Sequence, residues 1–283
     1  MRGIMRVPFI KMHGLGNDFV VLDARADPVP TMGNALAAAL ADRKTGIGCD
    51  QLIVLEPSDK ADLRMRIFNA DGGEVESCGN AARAVGLLHG ESALIETLGG
   101  LIATAPADAG IEVDMGEPRF GWDEVPLAYA MDTMAMPVGW EGLENPCGVN
   151  VGNPHVIFFV TDNRAADLAH LGPLIEHDPL FPQRVNVNVA TVTARDALRL
   201  RVWERGVGET RACGTGACAT AIAAMRRGLC NRRVTVTLTG GPLLIEWNAE
   251  GRIIMTGPAA ESFRGSFDSD DFDPPSGEHW RER

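Results

Sequence analysis

Lysine is nearly missing from this chain: only Lys11, Lys44 and Lys60 occur among 283 residues. The commonest protein device for acidifying an amino-acid α-proton is a Schiff-base lysine carrying pyridoxal phosphate, so that chemistry has few positions open to it. Cysteine is scarce too. Six cysteines are too few for a disulfide scaffold in a chain this long, and none is spaced as C-x-x-C. No apolar run is long enough to span a bilayer. The first eleven positions are broken by Arg2, Arg6 and Pro8, so they lack the apolar stretch of a signal peptide. The expectation is a cytoplasmic protein with no membrane partner, in which a cysteine is by default a small buried hydrophobe. Basic charge is in deficit, with a formal net charge of -12, which argues against nucleic acid as a partner. A small anionic substrate stays open, because it needs only a local group of donors. The acidic residues show neither calcium-loop nor two-metal spacing, and no metal site is expected. The balance of 45% apolar and 23% charged residues is that of a globular protein with a sizeable core.

What the chain does have is a second copy of itself. Residues 62–82, DLRMRIFNADGGEVESCGNAA, align without gaps on residues 197–217, ALRLRVWERGVGETRACGTGA, at a constant offset of 135. Eight of these twenty-one positions are identical, among them Arg66/Arg201, Glu74/Glu209, Cys78/Cys213 and Gly79/Gly214. At the same offset Gln51 faces Asn186, each heading an apolar alternation. Farther out, GNDFVVLD at 16–23 echoes GNPHVIFFVTD at 152–162. Within each copy, alternation over 63–68 and 198–202 predicts a strand. A Gly-containing turn follows at 70–73 and 205–208. Then come the Cys-Gly pair, an Ala-rich helix over 81–89 and 217–227, and short strands. The fold class expected is α+β, in two pseudo-symmetric halves, each a central helix wrapped by a mostly antiparallel sheet or barrel. The halves are expected at 1–122 and 123–261, with 262–267 returning as a strand to the first. The acidic tail from Asp268 to the end is expected to be disordered.

The position of the repeated cysteines points to chemistry. A helix N-terminus carries free N–H groups and partial positive charge, which attracts carboxylates and lowers a thiol pKa. Two such ends acting on one molecule could hold an α-carboxylate through the N–H groups of Gly79, Asn80, Gly214 and Thr215. They would stabilise the charge that develops as the α-proton leaves. One thiolate would remove the proton and the other thiol would deliver one from the opposite side. This needs no cofactor. A lone Cys78 would be read as a buried N-cap; the mirrored pair favours catalysis, although a disulfide-forming redox pair fits the same positions. Cys49, Cys147, Cys218 and Cys230 have no mirror partners and are read as structural.

At these residues the sequence resembles the diaminopimelate epimerase family. The resemblance spans about 9–267. It rests on KMHGLGNDF (11–19), TGIGCDQL (45–52), FNADGGEVESCGN (68–80), GNPH (152–155), RVNVN (184–188) and WERGVGETRACGTGACA (203–219). It implies reversible conversion of LL-2,6-diaminopimelate to the meso form, in lysine and peptidoglycan precursor synthesis. It also implies catalytic Cys78 and Cys213, no cofactor and a homodimer. The family's substrate contacts fall on Asn17, Gln51, Asn69, Asn153, Asn186, Glu204 and Arg205. The residue types suit the ligand. Arg205 can take the carboxylate of the non-reacting end in a bidentate pair, and Glu204 with side-chain amides can accept from its ammonium. Glu204 and Asn69 stand nine residues before their cysteines, so the copies differ where an asymmetric ligand must be told end from end. His155 matches a family position important for activity and is expected to position other groups; Glu204 is counted with the catalytic residues as well. The stretch 121–148 matches the family poorly, and the first motif, CGNAARAV, departs from many relatives further along its helix.

A proline or hydroxyproline racemase would keep both cysteines but has no need of a Glu204–Arg205 clamp. A phenazine-type isomerase lacks the cysteine pair. A non-catalytic amino-acid binder would survive loss of both thiols, and a redox sensor would be active when oxidised. GTGACA at 214–219 imitates a dinucleotide fingerprint, but no acidic residue follows about twenty positions on to take the ribose.

Overall fold

The computed structural model describes residues 6–76 and 78–272. The chain divides into two compact units, one of Met1–Pro106 with Ala259–Arg283 and one of Ala107–Pro258. In chain order the elements of the first are β1 (Arg6–Gly14), β2 (Asn17–Asp23), α1 (Asn34–Ala41), β3 (Gln51–Glu56), β4 (Leu63–Asn69), β5 (Glu74–Val75), α2 (Gly79–His89), β6 (Ala93–Thr97) and β7 (Gly100–Ala107). The second contains β8 (Gly110–Asp114), β9 (Gly139–Trp140), β10 (Leu143–Glu144), β11 (Cys147–Asn150), β12 (Pro154–Phe159) and α3 (Leu168–Glu176). It continues with β13 (Asn186–Ala194), β14 (Ala197–Glu204), β15 (Gly208–Thr210), α4 (Gly214–Arg226), β16 (Arg233–Leu238), β17 (Gly241–Trp247) and β18 (Ile253–Gly257); β19 (Ala260–Asp268) returns to the first.

The two units share one pairing scheme. β1–β2 are antiparallel, β2–β3 parallel, β3–β4 antiparallel, β4–β6 parallel and β6–β7 antiparallel. The second unit repeats this as β11–β12, β12–β13, β13–β14, β14–β16 and β16–β17. The repeat in the sequence is therefore a repeat of the fold. In both copies an alternating strand buries one face: Leu63, Met65 and Ile67 on β4, and Leu198, Leu200 and Val202 on β14. Fully burying such a side chain stabilises by about 1.5–3 kcal/mol. In both copies the identical Arg and Glu of the repeat form a two-point ion pair across the following hairpin. Arg66 meets Glu74 at 2.8 and 2.9 Å, and Arg201 meets Glu209 at 2.8 and 3.0 Å.

The repeated helices are the buried elements. α4 is almost entirely Gly, Ala, Cys and Thr over its first three turns, and these residues are buried apart from Thr215. Small side chains let β11–β14 and β16–β18 all pack against it. α2 is buried from Gly79 to Gly86 and packs against β1, β6 and β19.

Two expectations need correction. The break between units falls at Pro106/Ala107, not at Trp122. The reason is pairing: β8 runs antiparallel to β18, with Val113 opposite Met255 and Asp114 opposite Ile254, so it belongs to the second unit. For the same reason that unit ends at Pro258, and β19 lies along the whole of β1. Order also continues past Asp268. Ser269–Phe272 forms a 3-10 turn, because the Phe272 ring packs edge-on against Phe267 with centroids 5.4 Å apart. The remainder of the tail, 273–283, lies outside the described residues.

Candidate active site

In the first unit the ends of β2, β3 and β4 and the start of α2 bring together Asn17, Gln51, Asn69, Cys78, Gly79 and Asn80. Cys78 is the N-cap of α2. Its extended backbone (φ -149°, ψ 112°) turns the sulfur back to accept from the Ala81 N–H at 3.5 Å. Next to it, Asn80 donates through Nδ2 to Asn17 Oδ1 at 3.0 Å, and Asn17 donates in turn to Asp50 Oδ2 at 3.0 Å. Gln51 sits directly across from Asn69 on the neighbouring strand, and its Nε2 donates to Asn69 Oδ1 at 3.0 Å. The other polar atom of that amide, Gln51 Oε1, is buried with no hydrogen-bond partner among the described residues. An acceptor in that state costs about 1–3 kcal/mol.

Beneath Asn17 lies a charged brace. Asp18 meets Lys11 and Arg43, and Arg43 reaches on to Asp50 at 2.7 Å. Burial pushes the Asp18 carboxyl up, but the Arg43 and Lys11 contacts outweigh it and hold the group at about 2.

The second unit gathers Asn153, His155, Asn186, Glu204, Arg205, Cys213, Gly214 and Thr215 at the matching end of β12, β13, β14 and α4. Cys213 is the N-cap of α4 (φ -131°, ψ 109°). Its sulfur accepts from the Gly216 N–H at 3.3 Å and lies 3.5 Å from Thr215 Oγ1. The helix start by itself favours a thiolate here. Burial pushes the Cys213 thiol well above its ordinary value, and the adjacent Glu204 carboxylate pushes the same way. The Thr215 and Gly216 donors of the helix start oppose these effects and lose. Glu204 itself accepts a short hydrogen bond from Thr210 Oγ1.

Asn186 joins three chain segments. Its Nδ2 donates to the Pro154 carbonyl at 2.9 Å, and its Oδ1 accepts the Arg205 N–H at 2.9 Å. The Arg205 guanidinium donates to the Gln183 carbonyl at 2.9 Å. His155, fully buried on β12, has Asn188 Oδ1 3.2 Å from Nδ1 and Asn153 Oδ1 3.0 Å from Nε2. Asn188 spends its Nδ2 on the Gly216 carbonyl and on Thr220 Oγ1, so its oxygen faces the ring and Nδ1 is the protonated nitrogen. Burial, with a smaller push from Arg205, lowers the His155 pKa to about 4, so the ring is neutral near pH 7. A chain of hydrogen bonds thus runs from His155 through Asn188 to the first turn of α4, where Cys213 is capped.

Each residue expected from the sequence lies in one of these two clusters. The sequence reading did not single out Asp50, Thr210 or Asn188. Asn188 had a signal, since RVNVN puts two amides on the same side of one strand. Asp50 and Thr210 looked like ordinary polar neighbours. Among the described residues, no group of three or more His, Cys, Asp or Glu could hold a metal ion. Nor is any described helix long and apolar enough to cross a membrane.

Against known proteins, the sequence model of the diaminopimelate epimerase family matches residues 9–121 and 147–261. The gap at 122–146 coincides with the stretch whose motifs are poorest. The chain is 71% identical over 268 residues to a diaminopimelate epimerase of Erythrobacter litoralis, covering 95% of this chain and 100% of that one. It is 47% identical over 278 residues to the Moorella thermoacetica diaminopimelate epimerase, covering 93% and 99%. Two solved structures share the fold at low identity. A phenazine biosynthesis protein of the PhzF family from Bacillus anthracis has TM-score 0.68 and 16% identity, covering 93% of this chain and 99% of that one. A probable proline racemase from Agrobacterium radiobacter has TM-score 0.66 and 16% identity, covering 95% and 94%.

Proposed function

We propose that this chain, which belongs to the diaminopimelate epimerase family, interconverts LL- and meso-2,6-diaminopimelate by moving one α-proton between Cys78 and Cys213. The observation that carries the reading is the doubled cap. Each cysteine is the N-cap of the buried helix of its own unit, and each sulfur accepts an N–H from the first turn.

In this mechanism a thiolate sulfur takes the α-proton and becomes a thiol. The electron pair left on carbon delocalises into the α-carboxylate. N–H groups of Gly79, Asn80, Gly214 and Thr215 stabilise the added charge on the carboxylate oxygens. The opposite thiol then delivers its proton to the other side of the carbon. One proton has left, one has arrived, and the centre is inverted with no change in oxidation state. Cys213, kept as a thiol by burial and by Glu204, is the proton donor of the resting enzyme.

Recognition of the substrate's far end falls to Arg205 for the carboxylate and to Glu204 and the amides of Asn17, Gln51, Asn69, Asn153 and Asn186 for its remaining polar groups. The unpartnered Gln51 Oε1 supports this, since a ligand ammonium would satisfy it. His155 acts as a positioning residue through Asn188 and the start of α4. No pyridoxal phosphate is needed. The setting proposed is lysine and peptidoglycan precursor synthesis in the cytoplasm, by a homodimer.

Solvent exchange tests the mechanism. In D₂O, without added pyridoxal phosphate, the enzyme should place deuterium at one α-carbon of diaminopimelate, and activity should be absent on proline and glutamate. Cys78→Ser and Cys213→Ser should each lower epimerisation on the order of a thousandfold or more. Normal turnover by either variant would sink the two-thiol scheme.

A further inference from the structure

One buried acidic residue lies outside both clusters and yet holds part of one of them. Glu176, the last residue of α3, is 2% exposed. Trp203 donates from Nε1 to its Oε2 at 2.7 Å, and the Gly206 N–H donates to its Oε1 at 2.9 Å. Arg184 comes within 3.6 Å of the same Oε1. Trp203 and Gly206 stand immediately on either side of Glu204 and Arg205. The carboxylate therefore holds the chain on either side of Glu204 and Arg205, by the Trp203 side chain before them and the Gly206 N–H after them.

The first copy shows that this grip is an addition to the shared scaffold. At the offset of 135, Ala41 on α1 answers Glu176 and Phe68 answers Trp203. Both are buried and apolar, and they pack in one cluster. A third exchange makes room. Ala37 answers Gly172, and a Cβ on Gly172 would lie 2.3 Å from the Trp203 ring. The larger indole, the emptied helix position and the buried carboxylate form one coordinated change. It occurs only in the copy that carries Glu204 and Arg205.

We propose that Glu176 is a positioning residue for end recognition, its two oxygens fixing the turn that presents Arg205 and Glu204 to the non-reacting end of the substrate. This rests on the assignment of Arg205 to that end. A carboxylate is required, because two N–H donors converge on two oxygens. A glutamine offers one acceptor and turns its own NH₂ toward the other donor.

The test is a set of KM and kcat measurements on diaminopimelate epimerisation. Glu176→Gln should raise KM about tenfold and lower kcat by no more than about threefold, because binding geometry is lost while Cys213 is reached only through Glu204. Adding Trp203→Phe to it removes the donor that glutamine cannot accept, and should bring KM back to within about threefold of the wild type. An unchanged KM in Glu176→Gln overturns the proposal. So does a fall in kcat and melting temperature together with no recovery in the double variant, the pattern of a merely structural residue. Should Glu176→Gln not fold, Trp203→Phe alone removes one anchor and leaves no buried donor behind. It should raise KM about threefold, and an unchanged value overturns the proposal. Arg205→Ala separates the two layers. If it leaves KM unchanged, the assignment of Arg205 is wrong. If it raises KM while Glu176→Gln does not, only the role of Glu176 is lost.

Discussion

The two copies of the repeat keep the same pairing scheme and the same capped cysteine, and differ in what surrounds it. At four buried positions the first copy is apolar: Phe19, Phe68, Ala37 and Ala41. The corresponding positions of the second copy are His155, Trp203, Gly172 and Glu176, each either polar or making room for a polar partner. The turns before the cysteines follow suit. In the first copy Gly72 (φ 87°) lies hard against the Asn34 carbonyl at the start of α1, where a Cβ would come within 2.0 Å. In the second, the turn is held at Gly206 by Glu176, at the end of α3. A duplicated scaffold thus keeps apolar packing at these four positions in one copy and carries hydrogen-bonding groups, or room for them, there in the other. The lesson is physical: backbone geometry can be copied, but reading a ligand with two similar ends needs asymmetric polar groups, and each buried one requires its own partner.

The largest expected difference is in response to acid. His155 is buried and neutral with its pKa lowered to about 4, and Phe19 in the same register position cannot titrate. The sign follows from linkage. A histidine in the unfolded chain protonates near pH 6.5 and the folded one only near 4. Its stabilising contribution is therefore complete above pH 6.5 and is lost as pH falls toward 4. The loss should be about 3 kcal/mol. Urea unfolding of the wild type and of His155→Gln between pH 7 and pH 4 should diverge by that amount. Parallel curves would mean that the second copy is no more acid-sensitive than the first.

Next comes the packing exchange. Gly172→Ala drives a methyl into the Trp203 ring and should destabilise by about 2 kcal/mol. Trp203→Phe, which restores the pairing found in the first copy, should recover most of that loss. A Gly172→Ala protein as stable as the wild type would show that the indole is not packed against α3. A smaller contrast separates the thiols. Cys78 is half-buried and Cys213 is 4% exposed with its thiol pushed up. Iodoacetamide at pH 8 should label Cys78 roughly ten times faster, as read by peptide mass spectrometry. Equal rates would remove the asymmetry between the two caps.

Much of this was legible in the sequence, for reasons that also mark where legibility stops. Strand alternation at 63–68 and 198–202 and the Ala-rich runs after Cys-Gly are local signals, and they became β4, β14, α2 and α4. The repeat exposed the twofold architecture. The boundary near Trp122 was misplaced because β8 pairs with β18, a contact across the chain that no local pattern announces. The upward push on the Cys213 thiol is not legible in the sequence, because a helix start is visible there and burial is not. Glu176 was invisible for the same reason. An acidic residue at a helix end reads as solvated until the structure shows Trp203 and Gly206 converging on it.

The smallest difference should be between the paired ions that the copies have kept in common. Arg66–Glu74 and Arg201–Glu209 span equivalent hairpins with the same two-point geometry. Yet Arg201 also donates to the carbonyls of Asn163 and Ala166, at 3.0 and 2.8 Å, whereas Arg66 turns to a second carboxylate, Glu56, at 3.5 Å. Losing Glu74 leaves Arg66 another anion to pair with. Losing Glu209 leaves Arg201 held by neutral carbonyls alone. All four side chains are partly exposed, so each substitution should cost no more than about 1 kcal/mol. Glu209→Gln should exceed Glu74→Gln by about 0.5 kcal/mol in chemical unfolding, and 1 M salt should shrink both. The reverse order would mean that the carbonyl contacts, not the second carboxylate, are what keeps an arginine in place once its partner is gone.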